Sequence, residues 1–423
     1  MASPLVQLPL IQNWSCHSCG GCCRKHLIEI TEEDRQRIAE QKWSPADGIG
    51  NDGPPVVWHA GPPWKKRYRL AHRADGSCVF LNEQGLCRIH AKFGEAAKPL
   101  ACQVYPYALH PGGRKLALSL RFSCPSVVAN KGRPVSLQVR DLKRIADLTV
   151  PPTADKIPPP EISPGVRVDW TEFHRFVDAL DATLAEPGVD LLTRLLRAVF
   201  WVRLVGQSKF DVIRGNRLDE YLQIVTEAAR NGIGEVPAVP REASRAGRLQ
   251  FRMLAAQYSR VDTFEKAARG LGGRVRLLRA ALRFARGRGD VPPLHPGFHA
   301  VPFSRLEDRF GGLNSEADAI LTRYFRVKIQ GLHFCGAAYY WVPFVEGFYS
   351  LALVFPVVLW QARWLAASES RDQISTDDVA RVLAITDHHH GYSPVLGTRS
   401  SRRRVRLLAH GDDLERLCRW YAR

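Results

Sequence analysis

Four cysteines and a histidine fall within eleven residues near the start of the chain, in the sequence CHSCGGCCRKH. They are Cys16, Cys19, Cys22, Cys23 and His26. Thiolates are soft ligands that suit zinc and iron–sulfur centres, and both kinds of centre commonly take four of them. The spacing of Cys16 and Cys19 lets two sulfurs on one turn reach the same ion, and the two glycines that follow leave the backbone room to wrap tightly. This segment therefore predicts a metal site.

The adjacent pair Cys22 and Cys23 is harder to place on one ion. Neighbouring side chains diverge in extended structure, so both sulfurs would not easily face the same metal. We expect one of the pair to bind a second centre or to lie outside the ligand shell.

The other thiols of the first part of the chain are more widely spaced. Cys78 and Cys87 flank the turn NEQG in CVFLNEQGLC, which predicts a β-hairpin with its two sulfurs close together. Cys102 and Cys124 bring the total before residue 125 to eight of the ten cysteines. Eight thiols are enough for two four-thiolate sites or for one cluster with spare cysteines, and the sequence leaves both open.

Histidines are further candidate ligands. Those in the cysteine-rich part are His17, His26, His90 and His110. A lone histidine is more often a surface or hydrogen-bonded residue than a metal ligand. The run DHHHGYS contains His388, His389 and His390 and could form a metal or proton-relay site, although a polar helix end accounts for it more simply.

The composition is that of a globular protein, and 423 residues suffice for two or three domains. The N-terminal sequence MASPLVQLPLIQNW lacks the basic start, long apolar stretch and cleavage site of a secretory signal, so we expect a cytoplasmic protein. Thiols stay reduced in the cytoplasm, which favours metal binding over disulfides for clustered cysteines. The isolated Cys335 and Cys418 are expected to be buried or incidental.

A proline-rich run, PPTADKIPPPEISPG at residues 151–165, divides the chain. Such a run favours an extended, stiff linker. We therefore predict an α+β protein. A small, loop-rich, metal-stapled domain with a β-hairpin would occupy residues 1–150, and a larger all-α domain residues 166–423. Capping boxes at 31–34 (TEED) and 375–378 (STDD) each predict the start of a helix. Apolar periodicity predicts two more, at 170–184 and 191–206.

Between Gly331 and Ala362 the only formal charge is Glu346. The stretch is long enough to span a bilayer, but the central carboxylate and two prolines favour a pair of buried helices, so we do not expect membrane contact. Glu346 would then be a buried carboxylate that needs a partner. It is the one candidate catalytic residue, because the aromatic side chains nearby could help it hold and desolvate an amine. Those aromatics, from Tyr339 to Phe344, are more often plain core.

The formal net charge is +18, which would attract an acidic protein, nucleic acid or anionic lipid. Twelve arginines against three acids lie between Arg241 and Arg288. Within this stretch, RVRLLRAALRFARGR predicts a basic amphipathic helix, and residues 399–406 (RSSRRRVR) could extend its surface. A solvated face is the simpler interpretation; the functional one is a docking surface for an acidic or lysine-bearing protein partner. Nucleic acid is possible but not favoured.

Three motifs in order resemble the YkgJ-type cysteine-cluster (CxxCxxCC) family: CHSCGGCC, CVFLNEQGLCRIH and KPLACQVYPYAL. The matching residues are Cys16, Cys19, Gly20, Cys22, Cys23, Cys78, Phe80, Leu81, Gly85, Cys87, Ile89, Pro99, Cys102, Tyr105 and Pro106. Cys124 resembles a late cysteine of some members. The resemblance covers residues 16 to about 126 and implies a zinc- or iron-chelating module. Lys98 stands where arginine is usual, and residues 92–97 look like an inserted loop.

A related branch, flagellin lysine-N-methylase, resembles this chain in layout, with a cysteine cluster followed by a long helical part. That resemblance implies an iron–sulfur cluster and S-adenosylmethionine as cofactors. Neither a glycine-rich βαβ loop nor the radical S-adenosylmethionine spacing CxxxCxxC is present, so enzymatic activity rests on resemblance alone.

The favoured function is a metal-binding protein with a helical partner- or substrate-binding domain. Its centre would be an iron–sulfur cluster, [4Fe–4S] being favoured, or zinc. The alternatives are a protein-lysine N-methylase and a zinc-stabilised nucleic-acid-binding protein. The predicted metal ligands are Cys16, Cys19, Cys22, Cys23, Cys78, Cys87, Cys102 and Cys124.

Overall fold

A computed structural model describes residues 5–9, 11–50, 53–234, 240–260 and 271–423. Short strands lie only in the first third of this part of the chain, and long helices dominate the rest, which confirms the α+β class. The strands are β1 (Leu5–Gln7), β2 (Asn13–Trp14), β3 (Glu29–Ile30), β4 (Val56–Ala60), β5 (Arg67–Leu70), β6 (Tyr107–Gly112), β7 (Lys115–Leu120) and β8 (Arg133–Pro134).

The helices of the first part are short. They are α1 (Gly21–Lys25), α2 (Glu32–Glu40), α3 (Arg88–Phe93), α4 (Leu100–Val104), α5 (Pro125–Val128) and α6 (Val139–Thr149). Those of the second part are α7 (Trp170–Leu184), α8 (Leu191–Gln207), α9 (Asn216–Gly232), α10 (Arg245–Tyr258), α11 (Leu271–Arg286), α12 (Ser315–Gln330), α13 (Phe344–Ala352), α14 (Val354–Ser368), α15 (Thr376–His389), α16 (Arg399–Ala409) and α17 (Asp413–Tyr421).

Three small sheets organise the cysteine-rich part. In the first, β7 lies between β1, which is parallel to it, and β6, which is antiparallel and pairs from Tyr107 opposite Leu120 to Gly112 opposite Lys115. In the second, β5 lies between β3 and β4, and both pairings are antiparallel. Strands β2 and β8 form a two-stranded pair. Among the described residues, the consecutive strands β4–β5 and β6–β7 each form an antiparallel hairpin, the first with a register shift between Trp58 and Ala60.

The segment predicted to form a hairpin between Cys78 and Cys87 is a tight turn with a single bridge, from Leu81 to Cys87. The side-chain oxygen of Asn82 accepts the backbone N–H of Leu86 at 2.7 Å and so closes the turn. Cys87 then begins α3 directly, which leaves no length for paired strands. The turn predicted from NEQG is present, but the two strands predicted on either side of it are not.

Helix starts follow the capping signals. Thr31 and Asp34 form a capping box at the start of α2, and Ser375 and Asp378 form another at the start of α15, as predicted. The two helices predicted from apolar periodicity are α7 and α8, and both bury their apolar residues. Local sequence therefore determined these elements.

The buried apolar residues form two clusters. The smaller contains Cys78, Phe80 and Ile89, with the turn and α2 packed around them. The larger runs from Tyr107 to Tyr421 and includes β6, β7 and α5 as well as the long helices. The second half of the cysteine-rich part therefore shares its core with the helical part.

Residues 151–165 pack against the helices. Ile162 is fully buried, and the backbone carbonyls of Glu161 and Ile162 accept the N–H groups of Phe344 and Val345 at 2.7 and 3.0 Å. The proline-rich run is thus attached to the start of α13. The domain boundaries proposed from it stay a prediction.

Helices α13 and α14 form the centre of the helical part. Together they span Phe344–Ser368, the one stretch among the described residues that is long and apolar enough to cross a membrane, and 89% of its most apolar window is buried inside the protein. This confirms the prediction of a buried helix pair. The fully buried Arg363 of α14 donates to the backbone carbonyls of Leu306, Asp308, Trp420, Tyr421 and Arg423, at 2.8 to 3.2 Å.

Candidate metal centre

The eight predicted metal cysteines come from segments that meet around the short helix α1. A close approach between two of these segments depends on glycine. Gly85 of the NEQG turn has a φ of +79°, and a Cβ there would lie 2.6 Å from the carbonyl oxygen of Ser18. Only glycine therefore lets the turn carrying Cys87 approach the loop between Cys16 and Cys19.

Cys22 and Cys23 lie side by side in α1, with their sulfurs 3.8 Å apart. The expected divergence of the pair holds for extended structure, and these residues are helical, so both thiols lie on one side. Two thiolates on a tetrahedral zinc ion, each about 2.3 Å from it, are about 3.8 Å apart. The geometry is thus compatible with one ion binding both.

A first group of thiols surrounds the smaller core. Cys78 donates its backbone N–H to the carbonyl of Cys23 at 2.7 Å, and Cys23, Cys87 and Cys102 pack around the same apolar cluster. Burial, with the nearby thiols of Cys87 and Cys22, raises the pKa of Cys78 to about 11. We call Cys22, Cys78, Cys87 and Cys102 the inner thiols.

Cys102 and Cys22 are also held in their neutral form. Burial raises the pKa of Cys102 well above its usual value, and the neighbouring Cys78, Cys87 and Cys22 add to the effect. The pKa of Cys22 is raised by its hydrogen bond with Cys23 and by burial. Each inner thiol therefore lies within electrostatic reach of others, and a metal cation would favour their deprotonation.

A second group of thiols comprises Cys16, Cys19 and Cys124. Cys124 is buried at the start of α5, and the next residue, Pro125, packs close to Gly21. Burial raises the pKa of Cys124, and Cys19 contributes as a nearby thiol. Cys16 and Cys19 are exposed.

The thiols are gathered but not closed into a ligand shell. Among the described residues, no three His, Cys, Asp or Glu side chains lie close enough to hold one ion. The chemistry of the donor set, soft thiols from separate segments, fits zinc or iron. The ligand assignment therefore stays a prediction.

Two of the four candidate histidines face other partners. His26 lies 3.3 Å from the hydroxyl of Tyr105, and its ring packs 4.9 Å from that of His388. His110 packs against His333, with their ring centres 4.8 Å apart. These contacts place both rings at the junction with the helical part.

Residues 15–125 match the family model described as "CxxCxxCC: Putative zinc- or iron-chelating domain". We call this region the CxxCxxCC domain. All eight predicted metal cysteines fall within it, and it ends one residue after Cys124. No curated protein and no solved structure matches the chain.

The structure pairs Glu346, the candidate catalytic residue, with arginine. Its carboxylate accepts hydrogen bonds from Arg402 at 2.7 and 3.1 Å, and Arg406 lies 3.9 Å away. The neighbouring aromatics do not form a cage, because Tyr339 donates or accepts at Ser350 and Trp341 is 63% exposed. The required partner is therefore an internal arginine, and an amine could bind only by displacing it.

Sequence analysis missed a buried polar cluster beside the CxxCxxCC domain. Its centre is an ion pair between Lys328 of α12 and Asp387 of α15, 2.6 Å apart and inaccessible to solvent. The available signal was a lysine four residues after Tyr324, on an otherwise buried face of α12. The DHHHGYS run was noticed, and its members do enter this cluster through Asp387, His390 and Tyr392.

Proposed function

We propose that the CxxCxxCC domain holds a metal centre whose primary ligands are the inner thiols Cys22, Cys78, Cys87 and Cys102. The observation that supports this is that these four thiols, from three separate segments, lie within electrostatic reach of one another, and that Cys78, Cys87 and Cys102 lie in or against one apolar core. Burying neutral thiols together has no structural benefit that a small apolar side chain would not also give. A cation that converts them to thiolates makes the arrangement stabilising.

The centre we favour is an iron–sulfur cluster, [4Fe–4S], with zinc as the alternative. Both take four thiolates, so ligand number does not separate them. The test is anaerobic purification followed by an absorption spectrum and analysis of iron, acid-labile sulfide and zinc. A broad band near about 400 nm with iron and sulfide indicates the cluster. Stoichiometric zinc in a colourless protein indicates the zinc site. A protein that contains neither iron nor zinc would contradict the proposal.

The ligand set is tested by single substitutions. Cys78→Ser and Cys102→Ser are expected to lose most of the bound metal, because a hydroxyl is a poor substitute for a thiolate. The control is Cys418→Ser, since Cys418 is equally buried but lies in α17, far along the chain from the other thiols. Full metal content in Cys78→Ser, or equal loss in the control, would contradict the assignment. If the protein binds a second metal equivalent and Cys124→Ser loses only that one, Cys124 belongs to an additional site.

We further propose that the helical part binds an acidic protein segment through α11. Four apolar side chains on one face of this helix are exposed: Leu271 by 83%, Val275 by 45%, Leu278 by 62% and Leu282 by 47%. Their spacing of three and four residues makes one stripe. A contiguous exposed apolar stripe is typical of an interaction site. Residues 261–270, which belong to the arginine-rich stretch, lie outside the described part of the chain.

Arginines flank this stripe and define the partner's charge. They are Arg274, Arg276, Arg279, Arg283 and Arg286. The stripe borders a groove of about 1200 Å³ that Pro292, Pro293 and Leu294 also line. An amphipathic helix with acidic flanks complements both the apolar floor and the positive rim.

The α11 surface is tested with a labelled synthetic amphipathic peptide bearing glutamates on its polar face. Leu278→Ser is expected to weaken binding by at least about tenfold, the value of one buried leucine. Ile224→Ser is the matched control, because Ile224 is 64% exposed on α9. Absence of peptide binding would contradict the proposal. Tighter binding of a DNA duplex that Leu278→Ser leaves unchanged and that salt abolishes would support the nucleic-acid alternative instead.

The lysine N-methylase alternative has no observation in its favour among the described residues, since the carboxylate of Glu346 is already paired with Arg402. Its test is whether the metal-loaded protein transfers a methyl group from S-adenosylmethionine to a lysine-bearing protein.

A further inference from the structure

The buried polar cluster lies where β7 and the segment that follows it, both in the CxxCxxCC domain, meet α12 and α15. The ammonium of Lys328 contacts the Asp387 carboxylate, donates to the carbonyl of Leu120 at 3.1 Å and lies 3.2 Å from Nδ1 of His333. The other carboxylate oxygen of Asp387 accepts the backbone N–H of Ser123 at 3.1 Å. Lys328 and Asp387 thus neutralise each other, and neither needs a further charge.

Arg121 brings a second positive charge to the same place. Its guanidinium stacks on the ring of Tyr392, 3.8 Å from the centroid, and lies 5.6 Å from that of Tyr105. Its Nε is buried and has no hydrogen-bond partner. Within the described ranges Arg121 makes no ion pair. The cluster therefore carries two cations against one carboxylate.

The histidines do not change this balance. Burial, together with the charge of Lys328, lowers the pKa of His333 and that of His390 well below the usual value. Both rings are therefore neutral and supply hydrogen-bonding nitrogens rather than charge. Nδ1 of His390 lies 2.9 Å from the hydroxyl of Tyr258, which leaves its Nε2 for another partner.

Several polar atoms of this cluster are buried without a hydrogen-bond partner. They are Nε of Arg121, Nε2 of His110, Nε2 of His390, the hydroxyls of Tyr324 and Tyr392, and Oδ1 of Asp387, whose charge Lys328 balances. Tyr324 and His390 are fully buried residues. Native proteins leave few such atoms unpaired, and a concentration of them in one place points to a bound partner. Most of these atoms can donate, so the partner must offer acceptors.

We propose that this cluster is a binding site for the carboxylate or phosphate group of a small molecule. An oxyanion supplies a negative charge to balance that of Arg121, and its oxygens can accept hydrogen bonds from the unpartnered hydroxyls and imidazoles. Arg121 is half-buried, whereas Lys328 and Asp387 are inaccessible to solvent, so an entering oxyanion would meet Arg121 first. The proposal does not depend on the proposed metal function, although Arg121 lies three residues before Cys124 in the sequence.

The test compares sodium phosphate and sodium acetate with sodium chloride at equal ionic strength, using the purified full-length protein. Either oxyanion is expected to raise the thermal midpoint in a saturable manner, whereas chloride does not. The stronger of the two identifies the source as a phosphate or a carboxylate ligand. If neither salt gives a saturable shift, the proposal is overturned, and ordered water must accept the hydrogen bonds of these donors.

Arg121→Met is expected to weaken the oxyanion by at least about tenfold, because it removes a charged hydrogen-bonding partner. The control is Arg305→Met, since Arg305 is a partly exposed arginine paired with Asp308. If Arg121→Met does not fold, Tyr392→Phe provides the test of binding, because it keeps the ring and removes only one unpaired hydroxyl. It is expected to weaken binding by about two- to tenfold. Unchanged affinity in whichever of these variants folds would overturn the proposal.

Discussion

Gly85 shows how much a single residue can decide in the CxxCxxCC domain. The position requires a left-handed backbone, and it also requires the absence of a side chain, because the carbonyl of Ser18 lies where a Cβ would be. These two requirements can be separated, since Gly76 has nearly the same φ, +81°, with no heavy atom within 4 Å of a Cβ.

We therefore expect Gly85→Ala to be more damaging than Gly76→Ala. Both substitutions cost about 1–2 kcal/mol for the left-handed backbone, but only the first also pushes the turn away from the cysteine loop. The thermal midpoint should fall further in Gly85→Ala, and a chelator should remove its metal faster. Equal behaviour of the two variants would show that the close approach does not matter for the metal centre.

At the scale of elements, Arg363 connects α14 with the segment before α12 and with α17. Its guanidinium is buried among five backbone carbonyls and has no acidic partner within the part of the chain that the structure describes. Burial lowers its pKa to about 10, so the group stays charged at neutral pH. An arginine suits this position because its planar fork reaches several acceptors at once.

Arg363→Met should lower the free energy of unfolding by about 3 kcal/mol or more, because several buried carbonyls lose their donor together. Urea denaturation measures the loss. Arg305→Met, at a partly exposed ion pair, should cost less than about 1 kcal/mol. A small effect at Arg363 would mean that water replaces the guanidinium.

Elements differ in how far the sequence predicted them. The capping boxes at Thr31 and Ser375 act within four residues, so local pattern was sufficient to place α2 and α15. The strands expected beside NEQG did not form, because the Asn82 side chain closes the turn and α3 begins at once. The pairing of Lys328 with Asp387 joins residues far apart in the chain, and no local pattern encodes such a contact.

At the scale of the whole molecule, three buried histidines link stability to pH. Burial, with the charge of Lys328, lowers the pKa of His110 to about 3, and His333 and His390 are shifted in the same direction. All three are neutral in the folded protein. As the pH falls below about 6.5, these histidines bind protons in the unfolded chain but not in the folded protein. The free energy of unfolding is therefore highest above that pH and decreases below it.

Between a pH of about 6.5 and about 5.5, these three groups should lower the free energy of unfolding by about 3 kcal/mol. Urea denaturation at each pH measures the slope. His390→Gln should reduce the slope by the share of one proton. A slope that is the same in wild type and His390→Gln would show that His390 is charged in the folded state.

The cysteine content was the part of the site that the sequence predicted best, because ligand type and spacing are local properties. The division of the thiols into two groups around α1 required the fold. The placement of Cys22 beside Cys23 also depended on knowing that the segment is helical.

The separation of the two apolar clusters has a consequence for synthesis. The smaller cluster consists of residues early in the chain, whereas the larger cluster joins residues from Tyr107 to Tyr421. Domains near the N-terminus fold first as the chain leaves the ribosome. We therefore expect the inner thiols to be assembled, and able to accept their metal, while α15 is still being translated.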